Sequence, residues 1–302
     1  MVICGYALMK SSSSLKEANR TTALPPRRRT APGHGMSVPK PAVAAVPTQK
    51  LHKVLAQAGL GSRREMEDWI RAGKVLVNGI VAGIGMRVGP PDRVQVGRRA
   101  VQVPVTLSLP RVLLYHKPEG EITSRDDPQG RTSVFEKLPP APGAKWIAIG
   151  RLDYNTGGLL IFTTSGNLAN RMMHPRFEIE REYAVRIIGQ LSDQQIGCLL
   201  NGVVLSDGSA KFERVESEGG DGTNRWYRIV CKEGRNRIVR RMFEAVGFKV
   251  SRLMRVRFGN IKLPPRLKSG QTLELSAGEA GRLLAWLDAR TTISSASRGV
   301  RE

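Results

Sequence analysis

From Val112 to Leu275 the chain repeats one pattern, in which short apolar runs of strand length alternate with segments of helical spacing. Strand-like runs fall at 112–115, 146–149, 159–163, 183–188, 226–230, 250–257 and 272–275. Several alternate apolar and polar residues, as in Tyr183-Ala184-Val185-Arg186-Ile187. Such alternation predicts a largely antiparallel sheet with one covered face. Helical spacing falls between the strands at 167–173, 193–200 and 237–246, and after the last of them at 279–287. The pattern predicts an α+β fold for this part of the chain.

A smaller folded segment precedes it. Val54, Leu55 and Ala58 have helical spacing, and Gly59 is placed to end that helix. Ser62-Arg63-Arg64-Glu65 has capping-box form, and Met66, Trp69 and Ile70 give the next helix an apolar face that Gly73 stops. Lys74-Val75-Leu76-Val77 followed by Asn78-Gly79 reads as a strand entering a tight hairpin. Arg63, Arg64, Arg71 and Lys74 cluster near the second helix, where they could follow a phosphate backbone or simply form a solvated face. Residues 104–110 read as a linker.

Charge sets the class of partner. The 302 residues carry a formal net charge of +22, with a sequence pI near 10.8. The positive excess is seven over residues 1–50, five over 51–110 and ten beyond, so no tail accounts for it. A field of that sign attracts polyanions, nucleic acid first. No uninterrupted apolar segment reaches the roughly 20 residues of a spanning helix, so no membrane is expected. Cys4, Cys198 and Cys231 lie far apart, and His34, His52, His116 and His174 show no ligand spacing; neither zinc nor disulfides are expected, which suits a reducing compartment. Residues 1–48, rich in Ser, Pro, Ala and basic side chains with Glu17 as the only acid, read as a disordered extension. Their composition also suits a transit peptide, although an unstructured arm, with Met36 as the true start, is favoured.

Gly150-Arg151-Leu152-Asp153-Tyr154-Asn155-Thr156-Gly157-Gly158 leads into the apolar run Leu159-Leu160-Ile161-Phe162. An aspartate in such a turn is most often a local acceptor for backbone N–H groups. Here Asn155 and the paired glycines permit an unusual path that would present Asp153 at the mouth of a cleft. Downstream, Ile238, Val239, Met242, Phe243 and Val246 mark the core face of a helix, so Arg237, Arg240 and Arg241 flank it. A guanidinium beside Asp153 would hold it ionised and oriented. Tyr183 begins an alternating strand, where packing is the plain role; an aromatic face in a pocket can also receive an unstacked base.

These stretches carry two resemblances. Residues 51–59, Ser62-Arg63-Arg64 and 73–79 resemble the S4 RNA-binding domain. Gly150-Arg151-Leu152-Asp153 with Thr156-Gly157-Gly158, then Glu182-Tyr183, then Glu233-Gly234-Arg235-Asn236-Arg237 with Val239-Arg240-Arg241-Met242 resemble the RsuA-type pseudouridine synthases. Lys117-Pro118-Glu119-Gly120 and Asp127-Pro128-Gln129-Gly130-Arg131 look most like the branch acting on large-subunit (23S) ribosomal RNA. Between the basic disordered extension over 1–48 and a flexible tail over 291–302, the resemblance implies an S4-like domain over 49–108 and a catalytic domain over 109–290 with a mainly antiparallel mixed sheet flanked by helices.

It further implies uridine isomerisation with no cofactor and no metal, by a cytoplasmic monomer whose partner is ribosomal RNA or a ribosomal precursor particle. Asp153 is the catalytic aspartate, Tyr183 packs on the flipped uracil, and Arg240 pairs with Asp153. Arg151, Thr156, Gly157, Arg235, Arg237 and Arg241 contact the substrate, while Arg63, Arg64, Arg71 and Lys74 contact RNA. The carboxylate's route, whether attack at C1′, addition to the ring or glycal formation, stays open, as does the C5 base, Tyr183 or a water. Rival readings are a non-catalytic S4-type ribosome-assembly factor, a small-subunit rRNA pseudouridine synthase and an RNA methyltransferase, for which Gly83-Ile84-Gly85 is a faint cofactor loop outside any βαβ unit.

Overall fold

A computed structural model describes residues 48–103 and 109–296. The extension and most of the linker therefore lie outside the described residues.

The first described segment builds its own core from two short helices and small ladders. Strand β1 (Gln49–Lys50) leads into α1 (Leu51–Gln57), and α2 (Arg63–Arg71) follows. Ser62 and Glu65 form the reciprocal cap of α2, a device that stabilises a helix start by about 1 kcal/mol. The hairpin of β2 (Val75–Val77) and β3 (Ile80–Val81) turns on Asn78 and Gly79, both at positive φ, as a two-residue primed turn requires. Strand β4 (Arg87–Val88) pairs with β1, while β5 (Val94–Val96) and β6 (Arg99–Val101) extend the hairpin sheet. Leu51, Val54, Leu55, Met66, Ile70, Val75 and Val94 are among the side chains buried between these elements.

The larger part is organised by one nine-stranded sheet. Its strands in chain order are β7 (Val112–Lys117), β8 (Ile147–Ile149), β9 (Gly157–Thr163), β10 (Arg181–Ile188), β13 (Arg214–Ser217), β14 (Asn224–Cys231), β15 (Val250–Phe258), β16 (Ile261–Lys262) and β17 (Thr272–Glu274). The main path runs β13-β14-β10-β15-β9-β7-β17, antiparallel except where β15 meets β9. A separate hairpin, β11 (Val203–Leu205) and β12 (Gly208–Ala210), stands beside it. Helices α3 (Gly166–Met173), α4 (Asp193–Asn201), α5 (Ile238–Ala245) and α6 (Ala277–Ala296) complete the fold.

Alternation decides which face each strand buries. On β10, Tyr183, Val185 and Ile187 join Tyr227 and Ile229 of β14 under Leu199 of α4 and Val239, Met242 and Phe243 of α5. Strands β7 and β9 depart from the expected single covered face. Leu113 and Leu160 enter that core, while Val112, Leu114, Leu159 and Ile161 enter a second core with Leu168 and Met172 of α3 and Leu283 and Leu287 of α6. A strand covered on both sides must be apolar throughout, which accounts for the unbroken run after Gly158. Helix α6 continues to Ala296, through residues expected to start a tail, because no glycine or proline interrupts 282–296. Among the described residues no helix is long and apolar enough to cross a membrane.

Candidate active site

The loop between β8 and β9 carries Asp153, and its backbone is fixed at almost every residue. Gly150 takes a positive φ and donates its N–H to Met173 Sδ at 2.7 Å. Leu152 is buried, and its carbonyl accepts from Thr123 Oγ1 at 3.1 Å. Thr156 N–H donates to the Asp153 carbonyl at 3.0 Å, closing the turn.

The next three carbonyls are held by two buried cations. Lys117 Nζ donates to Tyr154 O at 3.4 Å, to Thr156 O at 2.9 Å and to Pro118 O at 2.8 Å. Arg240 Nη2 donates to Asn155 O at 2.7 Å, and its Nη1 to Val250 O at 2.9 Å. Lys117 is wholly buried, and that burial pulls its ammonium down to about 8 against the pull of Glu121, Glu119 and Asp153. Burial also lowers Arg240, while the charges of Asp153 and Glu119 raise it again.

The loop then enters the sheet by a close approach. Gly158 has φ +97°, and a Cβ there would lie 2.2 Å from the Arg255 carbonyl, so only glycine fits. Asp153 is thus presented on a loop clamped from both ends. Its side chain is partly exposed and lines a cavity of about 1220 Å³ with Arg151, Thr156, Tyr183, Arg235 and Arg237. Glu213 and Glu233 in the same wall pair with Lys232 and Arg235. Among the described residues Asp153 has no ion pair and no side-chain hydrogen bond.

Tyr183 and Arg255 form one floor of the cavity. They are register partners across β10 and β15, on the face that α5 covers. Arg255 is 2 % exposed, its Nε donates to Leu159 O at 2.8 Å, and its Nη2 has no hydrogen-bond partner. Burial raises the Tyr183 phenol, and the Arg255 charge works in the opposite direction. Phe258 carries the guanidinium carbons of Arg181 and Arg255 each 4.9 Å from its ring centre.

Several of the side chains expected around Asp153 have other partners in this structure. Arg240 makes no direct ion pair with Asp153, because its two terminal nitrogens are spent on Asn155 and Val250 carbonyls. Arg235 is not free for phosphate: it binds Glu233 Oε2, Asp207 Oδ1 and the carbonyls of Asp207, Gly208 and Ser209. Arg241 likewise binds Asp207, Ser206 Oγ and Asn236 O. Together the two arginines pin the β11–β12 turn to the start of α5. Gly157 is buried in β9, 3.3 Å from Lys117 O when given a Cβ, and packs strands rather than lining the cavity. Thr156 does line it, buried, with Oγ1 unpartnered. Arg151 and Arg237 are exposed at the cavity wall, and Arg237 sits at φ +48° as the N-cap of α5.

In the smaller segment Arg63, Arg64, Arg71 and Lys74 are all exposed, and Arg71 pairs with Asp68 at 2.5 Å. Lys117, Arg181, Arg255 and Phe258 carry weight that residue patterns alone did not reveal. For Arg255 a signal was present, since it occupies a buried place in β15 beside Leu253 where an apolar side chain is the rule. Among the described residues no group of three or more His, Cys, Asp and Glu could hold a metal ion.

Comparison with known proteins finds relatives of both segments. The model of the RNA pseudouridylate synthase family matches residues 111–245, and that of the S4 domain matches 49–94. Ribosomal large subunit pseudouridine synthase B of Escherichia coli (strain K12) is 51 % identical over 239 residues, covering 78 % of this chain and 82 % of that protein. The protein of the same name from Xanthomonas campestris is 50 % identical over 244 residues, 79 % of this chain but only 50 % of that longer relative. A crystal structure of a pseudouridylate synthase shares the fold, with a TM-score of 0.54 at 24 % identity over 78 % of this chain and 99 % of that one. The 51 % identity with the Escherichia coli protein across most of both chains, with the S4 and synthase models matching in that order, places this chain in the S4-containing, RsuA-type family of RNA pseudouridylate synthases.

Proposed function

We propose that this protein isomerises one uridine of large-subunit ribosomal RNA to pseudouridine, with Asp153 as the acting carboxylate. The observation that carries the assignment is that Asp153 alone among Asp153, Glu213 and Glu233 is left without a cation, on a loop held by Lys117 and Arg240. A carboxylate that must act on a nucleotide needs a fixed backbone and an unspent side chain. The names of the relatives at about 50 % identity supply the substrate class.

The reaction breaks the N1–C1′ bond of uridine, turns the uracil and joins C5 to C1′, while the C5 proton leaves for solvent and N1 gains one. Nothing is oxidised or transferred, so the residues of the cavity suffice. Tyr183 meets the flipped base as a neutral phenol, since burial disfavours its phenolate. That favours a packing role for it and a water as the C5 base. Arg237 and Arg151, exposed at the wall, suit the phosphates on either side of the flipped nucleotide. Arg63, Arg64, Arg71 and Lys74 extend the contact along the RNA. The working form is a monomer in the cytoplasm, acting on ribosomal RNA or a precursor particle.

Asp153→Asn tests the assignment. Pseudouridine formation in a ribosomal RNA fragment should vanish while RNA binding persists. Unchanged turnover would return the protein to the class of non-catalytic RNA-binding factors.

A further inference from the structure

Beside Asp153 the structure carries an aromatic surface that the reaction itself does not use. Tyr154 is 44 % exposed, belongs to none of the three hydrophobic cores and lies outside the cavity that Asp153 lines. A large exposed ring next to a reacting carboxylate needs a reason, because solvent exposure of that area is unfavourable.

The ring is also prepared from beneath. The Arg131 guanidinium lies 5.9 Å from its centre. Arg131 in turn is locked onto Asp127, donating from its backbone N–H at 2.7 Å, from Nε at 3.0 Å and from Nη2 at 2.7 Å. The Tyr154 carbonyl accepts from Gly120 N–H at 2.9 Å and from Lys117. The cation beside the ring and the backbone that carries it are both held before any ligand arrives. An arginine-backed aromatic of this kind is a stacking surface for nucleobases, and it tolerates any base because each has a π-face.

We infer that Tyr154, backed by Arg131, stacks the base of a nucleotide adjacent to the flipped uridine, and so helps select the site on the RNA. This rests on the assignment of uridine isomerisation above. Once the target uridine leaves its helix, its neighbour loses a stacking partner. Tyr154, one residue from Asp153, is placed to supply a new one. The residue therefore contributes to KM and to the choice of site rather than to the bond-making step.

The test uses the full chain and a hairpin fragment of large-subunit ribosomal RNA bearing the uridine that the wild-type protein converts. Tyr154→Ala should raise KM about tenfold with kcat nearly unchanged. Tyr154→Phe should behave as wild type, and Tyr154→Leu should behave as Ala, since it keeps bulk but has no π-face. Making the neighbouring nucleotide abasic should cost the wild type the same factor and cost Tyr154→Ala nothing more. An unaltered KM in Tyr154→Ala, rescue by Leu, or an equal abasic penalty in both proteins at each neighbouring position would overturn the platform. Absence of pseudouridine with the wild-type protein would instead overturn the reading on which it rests.

Discussion

Arg240 Nη2 grips the carbonyl of Asn155 at 2.7 Å, two residues beyond Asp153, and does not touch the carboxylate. Its Nη1 holds Val250 O at the start of β15, so one side chain joins α5, β15 and the aspartate loop. The guanidinium thus sets where Asp153 stands, and its charge acts on the carboxylate only through space.

Arg240→Ala should therefore lower the single-turnover rate roughly 100-fold, since small displacements of a reacting group carry that cost. RNA affinity should fall far less. Arg240→Lys, which cannot span both carbonyls with one planar fork, should recover only part of the rate. Full activity in Arg240→Ala would mean that the loop holds itself.

Lys117 should matter most to stability. Lys117→Met leaves the carbonyls of Pro118 and Thr156 without their donor and that of Tyr154 with Gly120 N–H alone, which should destabilise the fold by roughly 3 kcal/mol. Thermal unfolding would show this as a Tm lower by about 10 °C. The pH dependence has a definite sign. The folded value, about 8, lies below the ordinary lysine value, so between the two the folded chain binds fewer protons than the unfolded one. Stability from this group rises with pH across that window and is lost as pH falls through about 8. Urea midpoints at both ends of the window, in wild type and Lys117→Met, measure it.

Asp207 draws Arg235 and Arg241 onto the β11–β12 turn, and the two guanidinium groups, Arg241 foremost, hold its carboxyl down to about 2. Asp207→Asn should loosen that hairpin, seen as faster amide exchange over 203–210, with a small effect on turnover. In wild type the protection should survive acidification until pH approaches 2 and then be lost.

The exposed arginines of the smaller segment should set the salt dependence of RNA binding. Replacing Arg64, Arg71 and Lys74 with glutamine should weaken binding and reduce the slope of log affinity against log salt by about 1 for each phosphate contact removed. An unchanged slope would identify these side chains as a solvated face.

Local rules carried much of the fold into view from the sequence. Ser62 with Glu65, Asn78 with Gly79, and the alternation of Tyr183, Val185 and Ile187 each specify a cap, a turn or a buried face within a few residues, and each stands where expected. The site was legible as a set of residues but less so as a set of bonds. Arg235 and Arg241 look like phosphate ligands because a count of charges does not show Asp207, 28 and 34 residues away, consuming their donors. Lys117 stood in a recognisable motif, yet its task depends on carbonyls 37 and 39 residues further on. Arg255 acquires its place only through the register of β10 with β15. Partnerships over such separations are set by topology, which short windows of sequence do not contain.

The single parallel contact of the sheet, where Gly157 and Gly158 meet Met254 and Arg255, has a consequence for how the protein comes into being. The aspartate loop is synthesised before the strand that completes its footing, which follows about a hundred residues later. A nascent chain that has not yet released β15 lacks both the Val250 anchor of Arg240 and the wall against which Gly158 packs. The position of Asp153 is thus a property of the finished sheet rather than of its own neighbourhood in sequence, and it cannot be set before β15 has joined β9.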